Sequence, residues 1–191
     1  MEEPVDQQVF SYLSKPSIDI YSNLEEDIGK WALEPILQMP GITTEKDRKN
    51  IEKQLWEVLR NETNPKDPLP VRLQQKNKKG SSATGLFQFT ERTANWLGTS
   101  TKEIAKMSLP EQVLLYKKYL EKWGWKKDTP LAMMQAAPAY ANKPDDFIVY
   151  TEQSNPEEYE KNLAWVPLDK KGKRIEGAPI TVGSIKAYYD R

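Results

Sequence analysis

The 191-residue sequence predicts a mainly α-helical protein, and three observations lead to this prediction. Several segments place apolar residues at helical spacing between residues that commonly begin and end helices. Strands do not alternate with helices in the way that a parallel sheet requires. The length fits one medium domain with an appended arm. We therefore predict an N-terminal helical arm over residues 1–40 and one domain over residues 41–191.

Residues 1–40 carry scattered apolar positions, in "VFSYL" and "WALEPILQM", between prolines 16, 35 and 40. Proline ends or bends helices, so this spacing predicts short helices wrapped on the body of the protein. The next segment predicts a long helix over residues 45–63, with Thr44 and Asp47 as an approximate capping box and Asn64–Pro65 as its end. Residues 64–82 are rich in proline and lysine, which predicts either a long loop or a short β-hairpin.

Three further helices are expected. "TGLFQFTERTANWLG" reads as a helix with Thr84 as its cap and Gly98 as its end. "SLPEQVLLYKKYLEKWG" carries a Ser108–Glu111 capping box and an apolar stripe. "TPLAMMQAAPAYAN" predicts a helix capped by Thr129, with Pro130 in its first turn. The tail predicts a turn and a short C-terminal helix.

Composition excludes several classes of chemistry. The 28 basic residues balance 28 acidic ones, so no net field favours nucleic acid as a partner. Cysteine and histidine are absent from the sequence, which excludes disulfides, thiol nucleophiles, Ser-His pairs and most zinc sites. The remaining chemistry is that of carboxylates, and we expect no metal and no cofactor. The sequence also predicts no membrane span and, because its start is acidic, no signal peptide.

Glu62 is the one glutamate on the apolar face of the first long helix. At 100° per residue, Glu62 lies about 20° from Ile51, within the stripe that Leu55, Val58 and Leu59 complete. Burial and the negative pole of the helix both disfavour the ionised form and predict a raised pKa. A carboxyl group that keeps its proton near neutral pH can act as a general acid. The alternative is that the last turn frays and Glu62 points to water.

Gln88 lies at the edge of the apolar face predicted for the "TGLFQF" helix, on a polar line with Arg92 and Asn95. The small residues of "SSATG" before it allow backbone N–H groups to approach a ligand closely. The alternative is an ordinary helix entry with a solvent-facing glutamine.

Taken together, "LRNETNP" and "GSSATGLFQFTERTANWLG" resemble the paired motifs of the lytic transglycosylase (SLT, goose-type lysozyme-like) family, in the form found in bacteriophage muralytic enzymes. The resemblance covers roughly residues 45–150. It implies an all-α, lysozyme-like fold in which Glu62 is the catalytic acid/base. By the same resemblance, Glu62 would cleave the bond between N-acetylmuramic acid and N-acetylglucosamine and leave a 1,6-anhydro product. The resemblance further implies Gln88 as a sugar-binding residue, beside Phe87.

The chain departs from the family pattern in three places. The spacing from Glu62 to Gly85 is longer than usual. The serine of the second motif has Ser81 as its nearest counterpart. "MMQAAP" takes the place of the family's A-Y-N-A-G-P, so Met134 stands where tyrosine is expected and Gln135 where asparagine is. Tyr140, in the following turn, is a candidate replacement for that tyrosine.

These observations predict a bacteriolytic enzyme whose partner is the peptidoglycan glycan strand, with phage virion proteins as a further candidate class. It would reside in a phage virion or the host cytoplasm and act on the cell wall. Two alternatives stay open, namely a hydrolytic muramidase or chitinase-like glycosidase and a non-catalytic, glycan-binding virion protein. Glu91 is the second choice for the acid.

Overall fold

The computed structural model describes residues 31–62, 67, 69–76 and 81–189 and is mainly helical. In these residues the α-helices are α1 (Glu34–Leu37), α2 (Glu45–Glu62), α3 (Leu69–Leu73), α4 (Glu91–Trp96), α5 (Thr101–Ile104), α6 (Leu109–Lys122), α7 (Leu131–Ala136), α8 (Pro156–Lys161) and α9 (Val182–Tyr189). Two 3₁₀ turns cover Pro138–Tyr140 and Leu163–Trp165, and two strands cover Ile148–Tyr150 (β1) and Ile180–Thr181 (β2). None of these helices is long and apolar enough to cross a membrane.

The long helix α2 confirms the predicted helix to within one residue. Thr44 and Asp47 form the predicted capping box, because Asp47 N donates to Thr44 Oγ1 (3.1 Å) and Thr44 N to Asp47 Oδ2 (3.3 Å). Its apolar stripe is buried. The predicted stop at Asn64–Pro65 lies outside the described residues.

Helix α6 also confirms its predicted boundaries. The Ser108–Glu111 capping box begins it, and Gly124, with a φ of 65°, follows its end. The buried face of α6 packs on α1, where Leu33, Ile36 and Leu37 are almost fully buried in the same core. The described end of the predicted arm is thus packed into the body, whereas residues 1–30 of that arm lie outside the described residues.

The predicted helix from Thr84 is wrong over its first six residues. Residues 84–89 form a tight loop closed by the Thr84–Phe89 bridge, with N–O distances of 3.0 and 3.1 Å. Gly85 (φ 82°) and Gln88 (φ 47°) adopt left-handed conformations, which an α-helix does not contain. Helix α4 begins only after this loop, with Thr90 as its cap, and Gly98 follows its end as predicted.

Two other expectations are corrected. The described part of residues 64–82 contains helix α3 rather than a β-hairpin, and Arg72 of α3 is buried, its Nη2 donating to Leu59 O at 2.9 Å. Helix α7 begins at Leu131, and Thr129 does not cap it. The free backbone N–H of Leu131 donates instead to Gln54 Oε1 of α2 (2.9 Å), so a side chain from another helix replaces the expected local cap.

The C-terminal part contains a small antiparallel sheet that the sequence did not predict. Ile148 pairs with Thr181 and Tyr150 with Ile180. A turn closed by the Leu168–Arg174 bridge precedes β2, and α9 follows it, as the predicted turn and short helix require.

Gln112 fastens the loop of residues 84–89 to the core. Its side chain is 1% exposed. Its Oε1 accepts from Leu86 N (2.8 Å), and its Nε2 lies 2.8–3.2 Å from three backbone oxygens, those of Leu73, Ile104 and Met107. A Cβ on Gly85 would lie 2.6 Å from Gln112 Oε1, so glycine is required for this close approach. One buried amide therefore positions the loop, α3 and α5 together.

We expect Gln112→Leu to lower the free energy of unfolding by about 3 kcal/mol, because the substitution leaves buried backbone groups without partners. Gln153→Leu is the matched control, since Gln153 is exposed. Urea unfolding of both variants and of the wild type measures the effect. A loss for Gln112→Leu no larger than for the control contradicts this role.

Candidate active site

A cleft of about 110 Å³ lies where the end of α2 meets the loop of residues 84–89, α6 and α7. Its lining residues are Glu62, Phe87, Gln88, Phe89, Thr90, Thr93, Tyr119 and Gln135. Four of the residues singled out from the sequence therefore come together here: Glu62, Phe87, Gln88 and Gln135. Ser81 and Tyr140 are not among the lining residues.

The positions of Ser81 and Tyr140 account for their absence from the cleft. Ser81 is exposed, and its Oγ accepts a local hydrogen bond from Ala83 N at 3.2 Å. The ring of Tyr140 packs against Phe147 and Tyr150, at centroid distances of 5.9 and 6.4 Å. Tyr140 thus has a packing role beside the C-terminal sheet.

Glu62 is the last residue of α2 and is half-buried in the cleft. Burial raises the pKa of its carboxyl group from 4.5 to about 7. The carboxyl group is therefore partly protonated at neutral pH and can either donate or accept a proton. The buried position agrees with the helical-wheel prediction and not with a frayed last turn.

Tyr119 of α6 brings a phenol to the cleft, and the sequence analysis did not single it out. Its hydroxyl donates to the backbone oxygen of Met134, a fully buried residue. Burial, and next the negative charge of Glu62, raise the pKa of Tyr119, so it stays a neutral donor. The signal was present in the sequence, because Tyr119 lies three residues after Tyr116 on the buried stripe of α6.

Tyr116 lies behind the cleft wall and is fully buried. Its ring stacks on Phe87 with a centroid distance of 4.1 Å and an interplanar angle of 7°. Its hydroxyl has no hydrogen-bond partner among the described residues. Burial raises its pKa, and the nearby groups of Tyr119 and Glu62 raise it further. The carboxyl of Glu62 therefore lies against an aromatic wall, which accounts for its desolvation.

Gln88 is held with its amide oxygen available to a ligand. Its Nε2 donates to the backbone oxygens of Gly85 (2.8 Å) and Gln75 (3.1 Å), and Oε1 accepts no hydrogen bond from the described residues. The left-handed backbone at Gln88 costs about 1 kcal/mol in a residue other than glycine. The surrounding contacts maintain this conformation at the edge of the cleft.

Gln135 and two threonines complete the lining. Gln135 Nε2 donates to Phe87 O (3.2 Å), which ties α7 to the loop. Thr90 Oγ1 lies 3.1 Å from Thr93 Oγ1, and it also accepts from Thr93 N as the cap of α4. These hydroxyl and amide groups give the cleft a polar rim.

Glu91, the second choice for the acid, has a different role. Its carboxylate accepts hydrogen bonds from Oγ1 and N of Thr101, and these bonds lower its pKa. An ionised carboxylate with these partners cannot donate a proton, and Glu91 does not line the cleft. Over the described residues, no group of three or more carboxylates is placed to hold a metal ion.

Comparison of the chain with protein-family models, with curated proteins and with solved structures finds no match. Inferences about function therefore depend on the sequence motifs and on the cleft itself.

The two tyrosines of α6 give a matched pair of tests of the aromatic wall. Tyr116→Phe removes a buried hydroxyl that has no partner among the described residues, and it should leave the free energy of unfolding unchanged or raise it by about 1 kcal/mol. Tyr119→Phe removes a hydroxyl bonded to Met134 O and should lower stability by about 1 kcal/mol. Urea unfolding measures both, and equal losses in the two variants contradict the geometry.

The pKa of Glu62 predicts a pH-dependent stability. Because the folded-state pKa of about 7 exceeds the ordinary value of 4.5, the folded protein binds this proton more tightly than the unfolded chain. This stabilisation is fully present below about pH 4.5 and is lost as the pH rises through about 7. We expect it to be about 2 kcal/mol, after allowance for the partial exposure of the carboxyl group.

Urea unfolding at about pH 5 and about pH 8 measures this pH-dependent stabilisation. Between about pH 5 and about pH 8, the free energy of unfolding should fall by about 2 kcal/mol more in the wild type than in Glu62→Gln. Glu57→Gln, at a half-exposed carboxylate that lies 3.7 Å from Lys53 Nζ on the same helix, should behave like the wild type. Equal pH dependence in wild type and Glu62→Gln contradicts the raised pKa.

Proposed function

We propose that this protein is a peptidoglycan-cleaving lytic transglycosylase in which Glu62 is the single acid/base. The observation that carries the proposal is one half-buried carboxyl group with a pKa of about 7 in a cleft that also contains Gln88. Glycosidases that hydrolyse their substrate, whether they invert or retain the configuration at C1, normally use two carboxyl groups. Glu62 is the one carboxyl group among the described residues that line this cleft. That composition supports an intramolecular reaction over hydrolysis.

In the proposed reaction, the protonated Glu62 donates its proton to the oxygen of the bond between N-acetylmuramic acid and N-acetylglucosamine. The bond from that oxygen to the muramic C1 breaks, and the departing sugar carries the proton away as a hydroxyl group. The Glu62 carboxylate then accepts the proton of the muramic 6-hydroxyl group while the oxygen of that hydroxyl group attacks C1. The products are a 1,6-anhydro sugar and a regenerated acid, with no net consumption of water. A pKa near 7 suits both proton transfers.

Tyr119 offers a phenol in a cleft where the motif tyrosine is replaced by Met134. The hydroxyl of Tyr119 donates to the backbone oxygen of Met134. Helix α6 therefore places an aromatic hydroxyl beside the position where the family motif has its tyrosine. Gln88 Oε1 is the acceptor for a sugar N–H or O–H group, and the polar rim of Thr90 and Thr93 adds further contacts. These groups orient the strand around the acid.

A second candidate is a virion protein that binds the glycan strand without cutting it. The observation that favours it is the size of the cleft, since about 110 Å³ is below the roughly 300 Å³ of small-ligand pockets. If the protein is a lytic transglycosylase, the cleft receives only the groups around the scissile bond, and the sugar rings lie along the surface. Activity measurements distinguish the two candidates.

The decisive comparison is between Glu62→Gln and Glu57→Gln on purified cell walls. Glu62→Gln should lower the rate of clearing by at least about 10²-fold, because it removes the proton that the leaving oxygen requires. Glu57→Gln, at a half-exposed residue of the same helix that does not line the cleft, should retain the wild-type rate. Retained activity in Glu62→Gln refutes the assignment of the acid.

Mass spectrometry of the wild-type products identifies the reaction. An anhydro product is lighter than the hydrolysed one by one water molecule. Hydrolysed ends indicate a muramidase. Saturable binding to walls without any product identifies the non-catalytic candidate.

A further inference from the structure

A second groove, of about 600 Å³, lies in the C-terminal part of the protein, outside the segment that carries the family motifs. It is formed by the turn after β1, by α8 and the 3₁₀ turn that follows, and by the turn of residues 168–174. Its volume falls within the roughly 300–1,000 Å³ typical of small-ligand sites. Tyr159 and Val166, 4% and 2% exposed, give it an apolar floor.

Charged side chains of both signs surround this floor. Three are carboxylates, Glu152, Glu160 and Glu176, and two are cations, Lys173 and Arg174. Among the described residues, none of the five forms a salt bridge or a side-chain hydrogen bond. A groove that keeps opposite charges apart offers both to a ligand.

Glutamates next to the groove, in contrast, do form ion pairs. On the same helix as Glu160, Glu158 pairs with Lys161 at 2.9 Å and Glu157 lies 3.9 Å from the same ammonium group. Pairing is therefore available to carboxylates in this region, and the groove carboxylates do not use it.

The cations are held by an ordered turn. Asp169 Oδ1 accepts from the backbone N–H groups of Lys171 (2.8 Å) and Lys173 (2.9 Å), and Asp169 N donates to Lys173 O (2.8 Å). Arg174 is bridged to Leu168. At the floor, the hydroxyl of Tyr159 donates to Ala178 O (3.0 Å), which ties α8 to the segment after the turn. The backbone that carries the two cations is thus held by local hydrogen bonds, and a preorganised site lowers the cost of binding.

We propose that this groove binds a short zwitterionic peptide, with its carboxylates contacting Lys173 and Arg174 and its amino group contacting the acidic side of the groove. Three carboxylates repel a polyanion, two cations repel a polyamine, and an uncharged sugar needs neither set. Identifying the peptide as the amino-acid stem of peptidoglycan rests on the proposed function. That stem carries carboxylates and, in its diamino acid, an amino group.

The test uses the free tripeptide alanyl-γ-glutamyl-diaminopimelate, titrated into the full chain by calorimetry. We expect saturable binding that the double variant K173A/R174A weakens by about tenfold or more, since charge-assisted contacts are lost. K170A/K171A is the matched control, because it makes the same change of charge in the same turn at residues that do not line the groove. Its affinity should stay within about twofold of the wild type.

Acetylation of the peptide's side-chain amine tests the acidic half of the groove. The acetylated peptide should bind the wild type more weakly, and E160Q/E176Q should bind both peptides equally. Absence of saturable binding, or an equal loss in K170A/K171A, overturns the proposal.

Sedimentation with walls separates attached stems from free peptide. K173A/R174A should bind intact peptidoglycan less than the wild type does and bind glycan stripped of its peptides equally well. An equal loss on both materials overturns the proposal.

Glu62→Gln should bind the tripeptide as the wild type does, so the two proposals can fail separately. Wall cleavage without peptide binding refutes the groove alone. Peptide binding by a wild type that leaves walls intact refutes the proposed activity alone.

Discussion

The desolvation of one carboxyl group, that of Glu62, is the constraint on which the proposed function depends. Helix α2 ends at this residue, and its buried stripe turns the carboxyl inward against a wall made by the aromatic residues of α6 and the loop. Taking a charge out of water disfavours the ionised form, so the proton is held to a pKa of about 7. Without that environment, Glu62 would be an ordinary ionised carboxylate at neutral pH and could not protonate a leaving oxygen.

The scaffold holds this environment with a few buried polar contacts rather than with the apolar core alone. Gln112 fixes the loop of residues 84–89, and Gln54 supplies the missing cap of α7. Each contact joins segments far apart in the sequence, so the cleft forms only when the tertiary structure does. At the left-handed backbone of Gln88, the side chain donates to Gly85 O and Gln75 O and lies at the edge of the cleft. These hydrogen bonds help to offset the local backbone strain.

Helical periodicity predicted α2, α6 and the inward position of Glu62, because a long amphipathic helix fixes which face each residue occupies. The loop of residues 84–89 could not be predicted in this way. Its apolar residues fit a helical wheel, and the conformation that excludes a helix is set by the closing Thr84–Phe89 bridge and by Gln112. The cap of α7 and the two short strands depend on partners from distant segments. The same periodicity places Tyr119 on the buried face of α6, so the sequence alone was sufficient to identify it. The C-terminal groove could not be predicted from the sequence, because its charged residues come from three separate segments that only the folded structure brings together.

Titration of the Glu62 side chain is the most direct test of its desolvation. It can be followed through the ¹³C carboxyl resonance, which is assigned by its loss in Glu62→Gln. We expect a midpoint of about 7. A midpoint near the ordinary value of 4.5 would contradict it, because a carboxyl group that titrates there is ionised and solvated at neutral pH.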